Sequence, residues 1–404
     1  MSIRPYEGPC REVLLKRLQA APDNRISFGQ WMALALYHPT CGYYMRRQDK
    51  IGKGHDFITS SHVHPIFGKF WGKLFAAWAG DKPLDLIELG AGEGRLMGAL
   101  LDDVRETRPD LYRRLTVYFY ETSPYHRQKI KERLINHHDG PPMVFIDDLP
   151  DVGSSMPPKN GTYRIVFSNE FWDAHPVERL RVRPEGIWEK QVIQLQDETH
   201  WNLLWVPYDL LDETMIEVLH LMGFHPDVRI IFKRLEEVAG LSTEEIETIF
   251  QSRDASMVIE VPLAAYETYQ VVLKQWQADA IVSIDYGMDQ VETFLKSLRG
   301  GSLRAYYAHT IRDDFWKYPG WMDITSDVPF PLLIRLGEAN GYQTSAFQKQ
   351  GAYLAQQGIL DWLRPLQDHD PFADEARQNR AIVQLIQPGG MGDAFYVLVQ
   401  KRNV

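Results

Sequence analysis

From residue 84 onward, short apolar runs alternate with stretches of helical spacing. LDLIELG (84–90), LTVYFYE (115–121), MVFIDD (143–148) and YRIVFSNE (163–170) read as strands. RLMGALLDDVRE and residues 124–135 read as the helices between them. Strands separated by helices predict a parallel sheet with both faces covered, a doubly wound, Rossmann-like α/β fold. The alternation resumes with a helix near 263–277, the strand DAIVSIDYG (279–287) and a helix over 288–299. A final glycine-bearing hairpin includes GGMGDAFYVLVQKR (389–402), and its last strand is expected to close the sheet.

Two regions break this rhythm. Apolar positions at helical spacing over residues 10–37 predict two helices, the second N-capped by Ser27. HPTCGYY (38–44) is turn-like, and HPIFGKFWGKLFAAWAG (64–80) predicts an amphipathic helix ending at Gly80. After residue 180, EGIWEKQVIQLQ and HWNLLWVPY predict a two-stranded hairpin, and residues 209–250 are helical and charged. The expected organisation is therefore an N-terminal helical region with a covering loop (1–80), the first part of the sheet domain (81–182), an inserted subdomain (183–255) and the rest of the sheet domain (256–404).

The 404 residues, 44% of them hydrophobic, can bury a sizeable core in one large domain or two. No apolar run approaches the roughly 20 residues of a membrane span. MSIRPYEGPCREVLLKRL lacks the apolar region of a signal peptide, so a soluble, cytoplasmic protein is expected. A net charge of −10 argues against general nucleic-acid binding and suits a cationic substrate better. Cys10 and Cys41 are too few for a disulfide framework or a cysteine-rich zinc site, and a reducing compartment is the simple reading. His62 with His64, and His137 with His138, lack a third ligand at convincing spacing, so no metal is expected.

The strongest local signal is LDLIELGAGEGRL, which sets Glu88, Gly90, Gly92 and Gly94 where a strand turns into a helix. Glycine there lets a cofactor approach the backbone. Glu88 can receive its cationic or amino end. In the dinucleotide fingerprint G-x-G-x-x-G the third glycine would fall on Arg95, and a pyrophosphate would be repelled by Glu88 and Glu93. S-adenosylmethionine (AdoMet), with a sulfonium and an ammonium, suits acidic neighbours. Glycines serving only a tight turn are the plainer alternative. Glu121, at the end of the second strand, is placed for the ribose hydroxyls. Asp147 and Asp148 end the third, and Asp148 is a candidate on the adenine side. SNEFWDAHPVERL brings Asn169, Glu170 and Asp173 to the carboxyl edge of the sheet. Carboxylates there can orient a guanidinium acceptor by paired hydrogen bonds. The alternative is that Asp173 caps a helix and Glu170 faces solvent.

Together HPTCGYY, DFITS…IFGKF, ELGAGEG, SNEFWDAHPV, SIDYG, GSLRAYYAH and DITSDVPF resemble the MidA-like methyltransferase family over most of the chain. Its mitochondrial member is a complex I assembly factor and protein-arginine methyltransferase. The resemblance implies a class I AdoMet fold with an inserted substrate-cleft subdomain and a cofactor loop at Glu88–Gly94. It also implies that the loop around Asp56 and Thr59 closes over AdoMet and that Asn169–Asp173 faces the methyl group. Asp285, Tyr286, Arg304 and His309 are implied to line the same cleft. Many members carry Pro-Glu where this chain has Ser61-His62. The function expected is AdoMet-dependent methylation of a protein side chain, with arginine, in a respiratory-complex subunit by analogy, as the target. The alternatives are a small-molecule methyltransferase and an AdoMet-binding assembly factor with little turnover. The oligomeric state is not legible.

Overall fold

A computed structural model describes residues 3–46, 64–147, 149, 161–209, 211–240, 242, 244–245, 256–308, 310–366, 370 and 372–402. The chain forms two compact units. One comprises residues 49–172, 268–287 and 337–404; the other comprises 1–48, 173–267 and 288–336. The N-terminal residues thus group with the insertion and with residues 288–336. The sequence pattern had set the insertion alone at 183–255.

In the sheet unit the strands are β1 (Leu84–Leu89), β2 (Leu115–Tyr120), β3 (Met143–Ile146), β4 (Tyr163–Asn169), β5 (Ala280–Met288), β6 (Tyr342–Lys349) and β7 (Phe395–Arg402). Their spatial order is β3-β2-β1-β4-β5-β7-β6. The pairs from β3 to β5 are parallel, and β7 runs antiparallel to both neighbours. The last strand therefore does not close an edge. It is inserted between β5 and β6, and Met391–Ala394 just before it is helical. The chain builds outward from β1 to β3 and then returns to β4 on the other side of β1. The carboxyl ends of β1 and β4 flank this reversal, the crevice where such sheets bind ligands.

Helix α1 (Ile66–Ala79) buries Ile66, Phe67, Phe70, Trp71 and Phe75 at helical spacing, and Gly80 ends it at φ +60°. It packs on α2 (Arg95–Thr107), which follows β1. At Gly68 a Cβ would lie 2.5 Å from the carbonyl oxygen of Leu96, so the missing side chain allows the close helix approach. Both helices share one core with Leu84, Leu86, Val117, Phe119, Ile165 and Phe167 of the sheet. Packing α2 against this face fixes the loop at its N-terminus.

The second unit carries the two expected N-terminal helices, Arg11–Ala20 and Phe28–Tyr37. Ser27 caps the latter reciprocally with Gln30. The expected hairpin is present as Trp188–Leu195 paired with Trp201–Pro207. It belongs, however, to a five-stranded antiparallel sheet with Arg25–Ser27, Glu178–Val182 and Met257–Val261. Phe28, Trp31, Trp201, Ile193 and Phe315 share its core. Cys10 and Cys41, read as reduced from their number, are joined as a disulfide with Cα atoms 5.1 Å apart. The fold brings together two residues 31 positions apart, which a count of cysteines cannot show.

Candidate active site

On β1 the inward row Leu84, Leu86 ends in a carboxylate, Glu88, in register with Phe119 and Phe167. Glu88 is only 4% exposed, and its Oε2 has no hydrogen-bond partner among the described residues. Burial, and then the charge of Glu121, push its carboxyl well above the usual range. A cation placed there would restore the carboxylate.

The three glycines of the loop meet different needs. Gly90 accommodates a ring: a Cβ on it would lie 2.6 Å from Cδ2 of Phe171. At Gly94, the N-cap of α2, a Cβ would press on Ile130. Only Gly92, at φ +53°, faces space with nothing within 4 Å of a Cβ. Of the three, Gly92 has the open face. The Gly92 N–H donates to Glu121 Oε2 at 3.0 Å, and the Ser123 N–H donates to Oε1 at 2.8 Å. Glu121 is thereby fixed beside the loop. Glu93 does not add to the local negative field, because it pairs with Arg95 at 2.9 Å and Arg133 at 3.3 Å. Its expected part in repelling a pyrophosphate is cancelled by these two arginines.

At the end of β4, Asn169 Nδ2 donates to Glu170 Oε1 at 2.9 Å. The buried Oδ1 of Asn169 has no partner among the described residues. Glu170 is half-buried rather than solvent-facing, and its backbone is left-handed at φ +56°. Asp173 is 3% exposed and lies in a turn, capping no helix. It opens the 173–267 segment of the second unit, where its carbonyl accepts from the Ser326 N–H at 2.9 Å. In that unit the buried Tyr44 hydroxyl donates to Asp323. Burial raises the Tyr44 phenol well above its usual range, followed by the charges of Asp323, Tyr37 and Asp173. Arg304 pairs with Asp327; burial pulls the guanidinium down, but the charge and hydrogen bond of Asp327, with the charges of Tyr306 and Asp173, together raise it.

Of the four residues that the family resemblance puts in the cleft, three lie among the described residues. Asp285 does not line a cleft: it is 0% exposed and accepts three backbone N–H groups, from Phe171 at 3.0 Å, Trp172 at 2.7 Å and Tyr286 at 2.9 Å. Tyr286 packs on Phe395 with ring centroids 4.0 Å apart. Arg304 is engaged by Asp327. His309 lies outside the described residues, as do Asp56, Thr59, Ser61, His62 and Asp148. Asp147 is exposed and bonded to Arg127. His137 has its own partners, the Tyr112 hydroxyl at 2.7 Å and Asp102 at 3.3 Å. Sequence reasoning missed the Phe171–Gly90 contact and the Asp285 clamp. Asp285 was visible as a carboxylate in an apolar strand, but nothing local told a ligand contact from a clamp.

A carboxylate without a partner, an open glycine and a second fixed carboxylate at a sheet switch point fit a ligand with a cationic end. The family described as "Putative S-adenosyl-L-methionine-dependent methyltransferase" matches residues 69–348. The chain belongs to this family. It is an enzyme of the class I methyltransferase fold, and AdoMet is its cofactor. It is 25% identical over 396 residues to a mitochondrial protein arginine methyltransferase of Danio rerio, covering 92% of this chain and 82% of that one. The Xenopus laevis counterpart is 27% identical over 83% of this chain and 72% of its own. A "likely methyl transferase" from Burkholderia thailandensis, solved bound to S-adenosyl-homocysteine, superposes with a TM-score of 0.74 at 22% identity. That match covers 99% of this chain and 95% of the other and shows a shared fold.

Proposed function

We propose that this methyltransferase acts on arginine side chains of a protein and holds AdoMet at the switch point between β1 and β4. Glu88 receives the amino end, the Gly90–Gly94 loop lies beneath the ligand, and Glu121 takes the ribose hydroxyls. Thr59 and Asp148 are proposed as further cofactor contacts. The observation that carries the cofactor placement is the buried Glu88 oxygen without a partner next to the open face of Gly92. The arginine reading is supported by relatives named protein arginine methyltransferases along most of their length.

When bound, AdoMet supplies an electrophilic methyl carbon on a sulfonium. The chain's part is alignment and charge. Asp173, assisted by Glu170, orients the guanidinium and accepts the proton that the nitrogen loses as its new N–C bond forms and the methyl–sulfur bond breaks, the electron pair leaving with a neutral thioether sulfur. Asn169 holds Glu170 in place through the 2.9 Å contact. In-line geometry, rather than a strong base, is what such a transfer needs.

The test uses AdoMet tritiated on the methyl group, the purified chain, and an extract from cells lacking it. A labelled protein whose acid hydrolysate releases methylarginine is expected. Label in a soluble metabolite alone, or tight AdoMet binding without turnover, would overturn the arginine assignment.

A further inference from the structure

We propose that Asp285 is a positioning residue that, through Phe171, couples the turn after β4 to the cofactor loop; this rests on the reading that the Gly90–Gly94 loop binds AdoMet. Three consecutive residues of β5 hold three consecutive residues of the turn. The Ile284 carbonyl accepts from the Glu170 N–H at 2.9 Å. Oδ2 of Asp285 accepts from the N–H groups of both Phe171 and Trp172. The Ser283 hydroxyl accepts from the Trp172 indole at 3.1 Å. A left-handed backbone at a non-glycine residue such as Glu170 persists only where its surroundings over-determine it. Here β5 does so.

The consequence falls on Phe171. Held from behind, its ring lies against Gly90, whose N–H donates to the Tyr120 carbonyl at 2.9 Å. Tyr120 meets the same ring edge-on at 6.3 Å. The first glycine of the cofactor loop is therefore fixed between the end of β2 and a ring that Asp285 positions. A shift of the turn that precedes Asp173 moves this ring and with it the loop.

Asparagine cannot replace Asp285. Both carboxylate oxygens accept N–H groups, and an amide would turn its own NH₂ toward one of those donors. The first experiment is a double-mutant cycle on the full chain, read as calorimetric affinity for S-adenosylhomocysteine. Gly90→Ala is expected to weaken binding about 10-fold by displacing the ring. Once Phe171→Ala has removed the ring, the same change should cost about 2-fold or less, a coupling within the range for contacting residues. Equal effects of Gly90→Ala in both backgrounds would overturn the proposal. In the second experiment Asp285→Asn is expected to weaken binding about 5-fold or more in the native background and less than about 2-fold alongside Phe171→Ala. A purely structural role would lower both backgrounds equally and would also overturn it. If Asp285→Asn does not fold, the Gly90–Phe171 cycle decides alone. Failure of the cofactor reading is distinguishable, because Gly92→Val would then leave affinity untouched.

Discussion

Glu88 shows how one residue can be poised for a ligand. Its folded-state pKa is raised by burial and by Glu121, so the folded chain binds more protons here than the unfolded chain does. The sign follows: Glu88 favours folding below the usual carboxyl range, and that contribution is lost as pH rises through the raised pKa. A cationic ligand reverses the shift, so binding should release a proton and tighten as pH rises. Calorimetry of S-adenosylhomocysteine in two buffers of different ionisation heat tests this, and zero proton release would separate Glu88 from the ligand's amino end. Glu88→Gln should weaken binding about 10-fold, the scale of one charged hydrogen bond, while leaving the melting temperature unchanged or higher. Gly92→Val adds a branched side chain at φ +53° whose Cβ meets no atom within 4 Å. Loss of binding with a retained cooperative melt is expected, and unchanged affinity would remove the loop from the site.

The strands divide their labour between their two ends. At the amino-terminal ends of β1 and β4, Arg164 Nε and Nη2 reach Asp85 Oδ2 at 3.1 and 2.9 Å, and Nη1 donates to the Trp276 carbonyl at 3.0 Å. Both charged groups are buried. Removing one partner strands the other, so Asp85→Ala should lower stability by about 3–5 kcal/mol in denaturant unfolding. The cofactor loop lies at the opposite end of β1, about 13 Å away at the strand rise. Affinity for S-adenosylhomocysteine should therefore stay within 2-fold of native. A parallel loss of affinity would show that the sheet transmits strain from one end to the other.

At the scale of the molecule, the chain passes between its two units five times, and one passage falls between Trp172 and Asp173. Asp173 belongs to the second unit, where its charge acts on Tyr44 and Arg304. Asp173→Asn keeps size and removes charge. It should leave AdoMet affinity within a few-fold and cut methyl transfer about 10²-fold, the range for losing a positioned acid–base group. Turnover of the true acceptor at the native rate would exclude Asp173 from the chemistry. The overall charge of −10 acts in the same direction as the local carboxylates, so association with a basic protein substrate should slow as salt rises.

Much of this was decided locally and so was legible in the sequence. Apolar runs placed β1 to β5, helical spacing and Ser27 placed the N-terminal helices, and the Glu-x-Gly-x-Gly-x-Gly run placed the loop. Burial of a strand and the freedom of a glycine depend on near neighbours in the chain. What the tertiary structure alone decided involves groups far apart in sequence. These are the meeting of Cys10 with Cys41, the place of β7 between β5 and β6, the neutralisation of Glu93 by Arg133, and the clamping of Phe171 by Asp285, 114 positions away. The same residue types could have been ligand contacts or structural ties. Which they became was set by the strand order, because only that order determines which backbone donors and which rings each side chain meets.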